Sequence, residues 1–357
     1  MLEYRNWKTA AAAPAPALEA VPGLPPALDE AAEAADPHHR FLRAAWFAAA
    51  GGTDPRTLVV RRAGAVVAAI PTVRSGRLGV RTVPGCYWPF RGPPIASDAG
   101  SEELAALFAS AEAAPLLGWA LRLGPIMAND PSARQLGRAA EAAGWSVLSR
   151  RIGTTFLLDM GRLAREGQWP RNSTLRKNRF HEKNLAAHGA LEWRFVSGEQ
   201  WTPAVFDDLS AIEAASWVAK QTDVRDAKFL NPANRAFWEA AAADPALARM
   251  MSAAILDIGG RPAAFSFDLD CGPVKYAIAN SYDEAFAKHS PGKVLYYRNL
   301  VRARERGIGL VDWGVGDGGY KRTIGADEGP EMVDLLFVRN RAAAALIGPL
   351  WRRSGRD

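Results

Sequence analysis

Residues 281–323 read SYDEAFAKHSPGKVLYYRNLVRARERGIGLVDWGVGDGGYKRT, and this stretch decides how the chain is organised. Ser290 and Pro291 mark a helix start: serine can cap, and proline suits a first turn where no N–H is needed. The spacing predicts a helix over 291–306 that stops at Gly307. A short β-rich run at 310–313 follows, then a polar turn or short helix over 316–322. A strand end running into a glycine-rich turn is where open sheets place reacting groups, because polar side chains there escape the core.

Outward from this stretch, 274–280 is a strand, preceded by a hairpin of 250–258 and 262–269 that turns at Gly259-Gly260. Further upstream lie a strand at 191–195 and proline-opened helices at 203–219 and 232–242. Downstream, 332–338 is a closing strand. The first half repeats this order in different residues. A helix over 36–49 precedes a hairpin of 58–62 and 65–73 turning at Ala63-Gly64, a strand at 80–87 and a Pro/Gly-rich loop at 89–100. Then come a helix over 101–114, a strand at 119–123, a helix opened by Asp130-Pro131 and ended by Gly144, and strands at 145–149 and 154–158. The expected class is α/β (α+β), with an Ala/Pro-rich flexible leader at 1–27 and two units of one grammar at 28–160 and 161–357.

The chain has 357 residues, 48% hydrophobic and 23% charged, enough for two packed cores. A net charge of +6 favours anionic ligands without singling out nucleic acid. Cys86 and Cys271 have no CxxC partner, which argues against a disulfide framework or a zinc site, and no metal is expected. The first 26 residues lack the unbroken apolar stretch of a signal peptide, and no apolar run is long enough to span a bilayer; a cytoplasmic location is expected.

Two groups carry candidate chemistry. Ser290, Pro291, Gly292, Lys293 and Val294 form a helix start whose free N–H groups, positive end and lysine suit a diphosphate. Tyr320 can protonate a leaving thiolate, Lys321 can hold an oxyanion, and Asp317 can orient either or bind an amine. The same residues also describe an ordinary capped helix and a solvated loop. Arg171, Arg176, Lys177, Arg179 and Lys183, with His181, form a basic run that is either a phosphate grip, led by Arg176 and Lys177, or a solvated face. Tyr276 and Tyr282 flank the strand entering the helix and are candidates to line a cleft. Trp217 and Trp238 read as core, and His38-His39 as a surface turn. No hydrolase constellation has interpretable spacing.

The run Asn280-Ser281-Tyr282-Asp283, then Ser290-Pro291-Gly292, then Asp312, Gly316, Asp317 and Tyr320-Lys321, resembles the BioF2-like acetyltransferase family, the CelD-type and FemAB-related branch of the GNAT superfamily. The basic run at 174–179 sits where that family carries a similar helix, and the resemblance spans about 172–338. It implies tandem GNAT-like domains, each a mixed, largely antiparallel sheet flanked by helices. It also implies N-acyl transfer from acetyl-CoA or another acyl-CoA to an amine of a sugar or a cell-envelope or exopolysaccharide precursor. In that picture residues 290–294 cradle the donor's pyrophosphate and Tyr320 lies near the sulfur. The usual donor loop, Q/R-x-x-G-x-G/A, has two small positions where this chain has one, which keeps an aminoacyl-tRNA donor open as the alternative, beside a non-catalytic binding role. The matching loop of the first half, 97–101, is acidic and repels a diphosphate, so that half is expected to be structural or to shape the acceptor side. A small-molecule or glycan-precursor partner is expected, and no DNA.

Overall fold

The computed structural model describes residues 16–353 apart from 77, 86–90, 222, 223, 225 and 318. Its strands are β1 (Ala17–Pro22), β2 (Thr53–Arg62), β3 (Ala65–Ser75), β4 (Val80–Thr82), β5 (Ala120–Met127), β6 (Ser146–Asp159), β7 (Leu191–Ser197), β8 (Met251–Ile258), β9 (Arg261–Cys271), β10 (Val274–Tyr282), β11 (Leu310–Val315) and β12 (Asp327–Val338). They form a single sheet in the order β1-β2-β3-β4-β5-β12-β6-β11-β10-β9-β8-β7.

Read from its two ends, this order is the same twice. The run β1 to β5 corresponds to β7 to β11, and each run is followed by the last strand of the opposite half. Pairing agrees: β4 with β5 and β10 with β11 are parallel, and all other neighbours are antiparallel. The duplicated grammar is therefore present in the topology. β12 pairs along most of its length with β6, Val338 opposite Ser146 and Asp327 opposite Leu157, so the halves share one central ladder.

Local chemistry explains most elements. Both hairpins turn on two successive residues with positive φ, Ala63 and Gly64 (48° and 88°) and Gly259 and Gly260 (59° and 76°), the turn whose twist matches paired strands. The helix Pro131–Ala142 starts as expected, with Asp130 Oδ1 accepting the Ala133 N–H at 2.9 Å. The helix Pro203–Ala214 is capped by Thr202 and the helix Pro232–Ala242 by Asn231. The main core crosses both halves: Trp46 on the helix Ala44–Ala50 meets Phe237 and Trp238 edge to face, at 4.9 and 5.9 Å between centroids.

Several expectations are corrected. Part of the expected flexible leader is ordered: Ala17–Pro22 pairs with β2 as an edge strand, and the helix Ala27–Ala34 follows it; residues 1–15 lie outside the described ones. The helix expected over 36–49 is a short 3₁₀ turn, Pro37–His39, and then the helix Ala44–Ala50. The two strands expected at 145–149 and 154–158 are one, β6, because Arg150 pairs with Asp334 and Arg151 with Glu331 on β12, giving polar residues a place in a central strand. The strand expected at 80–87 ends at Thr82, with residues 83–85 outside any strand, and Cys86 and Tyr87 lie outside the described residues.

Candidate active site

β10 and β11 stay paired for three residues, Val274 with Leu310, Lys275 with Val311 and Tyr276 with Asp312, and then part. At the same point β10 bulges, its register against β9 shifting between Ala277 and Ala279. A bulge bends a strand and increases its twist. Past Tyr276, the edge of β10 that faced β11 has no strand partner among the described residues, so its main-chain groups are open to a ligand. The wedge between the strands is a cavity of about 600 Å³.

Its walls come from β10, from the helix Pro291–Glu305 and from the short helix Tyr320–Ile324 behind β11. Ser281 Oγ, Asn280 Oδ1, the Tyr296 hydroxyl and Trp313 Nε1 line it or belong to residues that do; all four are buried and none has a hydrogen-bond partner. Buried polar atoms are bonded as a rule. Four unpaired ones around one cavity leave donors and acceptors that a ligand in it can meet. Tyr296 packs edge to face on Trp313 at 4.4 Å. Burial, and then the neighbouring Tyr320, push the Tyr296 phenol well above its ordinary pKa, so it stays a donor.

The helix start differs from the sequence reading in detail. Ser290 adopts a left-handed conformation, φ 50° and ψ 50°, and its side chain caps nothing. Its carbonyl accepts the Lys293 and Val294 N–H groups at 3.1 and 3.2 Å. Pro291 has no N–H, so among the described residues the Gly292 N–H is the amide of this turn left without a protein acceptor. Gly292 is required by contact: a Cβ there would stand 2.9 Å from Cδ1 of Tyr282. Gly292, Lys293 and Tyr282 line the cavity, whereas Pro291 and Val294 are buried beneath it.

A cationic cluster stands beside this turn. The helix Asn172–Ala186 lies along the helix Pro291–Glu305, tied by Glu182 accepting from Arg298 at 2.8 and 2.9 Å. Burial and the charges of Lys177, Lys293 and His289 hold His181 below its ordinary pKa, which puts these groups within electrostatic reach of one another. Lys177 and Arg176 are solvent-exposed.

Of the residues after β11, Tyr320 reaches the cavity and Lys321 does not. Tyr320 is 47% exposed, crosses Trp313 edge to face at 6.1 Å, and partial burial raises its pKa. Lys321 is buried, and its ammonium donates to the carbonyls of Trp313, Gly314 and Val315 at 2.7, 3.1 and 3.2 Å. It closes the end of β11 and has no donor to spare for an oxyanion. Asp317 likewise serves its own loop, accepting from the Gly319 N–H and from Arg322 Nε, each at 2.9 Å.

Tyr276 points to the other face of the sheet, where its hydroxyl donates to the His38 carbonyl at 3.2 Å. His39 is buried there too, 3.1 Å from Asp130, and is not part of a surface turn. Asp312, in register with Tyr276, is also buried; burial pushes its pKa up to about 7, against the Gly314 N–H it accepts. Trp238 is core as expected, but Trp217 is 42% exposed at the cavity rim. Sequence reading missed Tyr296 and Trp313. Tyr296 lies four residues after Gly292, on the same helix face, and that spacing was the available signal.

The corresponding wedge of the first half is closed by the chain itself. The Arg91 N–H donates to the Pro125 carbonyl at 3.0 Å and the Gly124 N–H to the Arg91 carbonyl at 2.9 Å, covering the free edge of β5. The helix start there, Gly100, gives its N–H to the Glu103 carboxylate at 2.7 Å.

Residues 172–322, which hold the open wedge and most of its walls, match a family profile described as an acetyltransferase (GNAT) domain. This part of the chain is similar to GNAT acetyltransferase domains, over 151 of the 357 residues. Solved structures agree on the fold. FemX superposes with a TM-score of 0.62 at 12% identity, over 92% of this chain and all (100%) of that one. The C-terminal domain of a protein described as a lysylphosphatidylglycerol synthetase from Agrobacterium fabrum gives 0.56 at 16% identity, over 92% and 95% of the two chains. L-PGS from Bacillus licheniformis gives 0.52 at 13% identity, over 86% and 91%. No curated protein matches the sequence. The chain thus has a tandem architecture, with one wedge open and, in the other half, the edge of β5 bonded to Arg91.

Proposed function

We propose that the chain is an N-acyltransferase that takes its acyl group from acetyl-CoA or another acyl-CoA and passes it to a primary amine of a sugar or cell-envelope precursor. The observation that carries this reading is the open wedge with four unpaired buried polar atoms, beside a turn that offers the Gly292 N–H and Lys293 to a phosphate. The free edge of β10 suits an extended amide-bearing arm, which can pair with it as a strand would.

In this reading the neutral amine attacks the thioester carbon, a C–N bond forms, and the tetrahedral oxyanion accepts from the Tyr296 hydroxyl, the role Lys321 was expected to fill. The C–S bond then breaks. Tyr320, kept protonated by its raised pKa, gives its proton to the leaving sulfur and regains one from the new amide nitrogen, so that a thiol and an amide leave. Residues 161–357 carry the chemistry, and 28–160, with its filled wedge, shape the acceptor side.

CoA release from acetyl-CoA in the presence of amino-sugar acceptors tests the reading. Release is expected from the parent protein, and Gly292→Asp, which meets Tyr282 and sets a negative charge in the phosphate turn, is expected to abolish donor binding. Unchanged donor affinity in that variant counts against the placement. A second reading, an aminoacyl-tRNA donor, is favoured by the exposed Arg176 and Lys177 beside the turn. It requires tRNA binding that weakens steeply with salt in a filter assay.

A further inference from the structure

The helix Arg341–Arg353 packs one face on the sheet: Ala344 and Gly348 are buried, and Ile347 and Trp351 pack against the cluster of Ala120, Leu336 and Val338. The Trp351 ring is held 4.2 Å from the Arg150 guanidinium, whose charge is paired with Asp334. The opposite face is also apolar. It presents Ala342, Ala345, Leu346, Pro349 and Leu350 to solvent, with Leu346 78% and Leu350 68% exposed. A helix that is apolar on both faces normally has both covered. Leu346 and Leu350 stand one turn apart as a ridge, not a groove.

The charges of the helix segment itself are of one sign. Residues 339–353 contain Arg339, Arg341, Arg352 and Arg353 and no aspartate or glutamate, so both ends of the helix are cationic. This pattern disfavours a second copy as the cover. In a two-fold pairing the helix would set Arg341 against Arg352 and Arg353 of the copy if antiparallel, and like against like if parallel. The area is also small. A 13-residue helix is about 20 Å long and about 10 Å wide, a footprint of roughly 200 Å² against the roughly 800 Å² per partner of a stable interface.

We propose that this helix docks the protein on an anionic lipid surface, with Leu346 and Leu350 entering the acyl boundary and the four arginines meeting the headgroups. The geometry is that of an interfacial helix: an apolar ridge, cationic flanks whose stems can reach back to the headgroups, and a tryptophan beside them. No helix of the described residues is long and apolar enough to cross a membrane, so the contact is peripheral. The inference does not rest on the acyl-transfer reading, because the ridge and the wedge have no residue in common.

Co-sedimentation of the full chain with vesicles of equal parts phosphatidylglycerol and phosphatidylcholine, and with phosphatidylcholine alone, tests it. The parent is expected to pellet with the anionic vesicles and to be released by salt. Leu346→Glu with Leu350→Glu should weaken the partition at least tenfold while leaving the melting temperature unchanged, since both side chains stand in solvent. Arg352→Glu with Arg353→Glu should remove the preference for the anionic vesicles. Absence of anionic-vesicle binding by the parent overturns the proposal. So does equal binding by parent and leucine variant, or a dimer that the leucine variant dissolves without any effect on vesicle binding.

Discussion

Replacing Tyr296 by Phe separates folding from function in one experiment. The Tyr296 hydroxyl is buried without a partner at the wall of the open wedge. Its desolvation is therefore uncompensated until a ligand arrives, a cost of about 1–3 kcal/mol. Phenylalanine keeps the edge-to-face contact with Trp313 at 4.4 Å and removes that cost. Unfolding entropy of about 2.1 cal/mol/K per residue gives about 0.75 kcal/mol/K for 357 residues, so the variant should melt about 1–4 °C higher. Losing a donor to the oxyanion should at the same time lower kcat by about 10²–10³ with little change in donor KM. Differential scanning fluorimetry without substrates and CoA-release kinetics read the two effects. A variant that melts at or below the parental temperature means the hydroxyl is bonded in the free protein, and parental turnover removes Tyr296 from the mechanism.

The remaining predictions concern neighbouring groups. Asp312 has a folded pKa raised to about 7, so its contribution to stability is full below about pH 4 and is lost as pH rises towards 7. His38, lowered to about 4 by burial, works the opposite way over about pH 4 to 6.5. Asp312→Asn, which can still accept the Gly314 N–H, should therefore flatten the Asp312 component and raise the melting temperature above pH 7; identical pH profiles would deny the shift. Lys321→Met leaves the carbonyls of Trp313, Gly314 and Val315 without their donor and should cost about 1–3 kcal/mol in denaturant unfolding. Tyr320→Phe should reduce kcat for acyl thioesters and spare an ester donor whose leaving group needs no proton, as compared in paired steady-state assays. Gly292→Ala should raise the donor KM by less than Gly292→Asp does, since it brings only the contact with Tyr282 and no charge.

What could be read ahead of the structure was whatever is encoded within a few residues. Prolines at 131, 203, 232 and 291 opened helices, and Ala63-Gly64 and Gly259-Gly260 turned hairpins, because turn and first-turn chemistry is local. The strand β6 read as two because Arg150 and Arg151 look like a break until their partners on β12, far away in sequence, are known. Tyr320 and Lys321 read as a pair in the sequence, yet adjacent helix positions point about 100° apart, and only one of them can face the wedge. Tyr296 and Trp313 were hidden by the opposite ambiguity. An aromatic residue on a helix or strand looks like core, and only their place in the wall of the open wedge sets these two apart.

The exchanged strands at the middle of the sheet have a consequence for how this protein can be cut. β6, contributed by the first half, is the neighbour that supports β11, and β12 crosses to lie beside β5. The segment 172–322 alone would carry the wedge with one wall unbacked, its β11 ladder ending in water. A cut between the halves parts β11 from β6 and β12 from β5, and leaves an unpaired edge on each fragment.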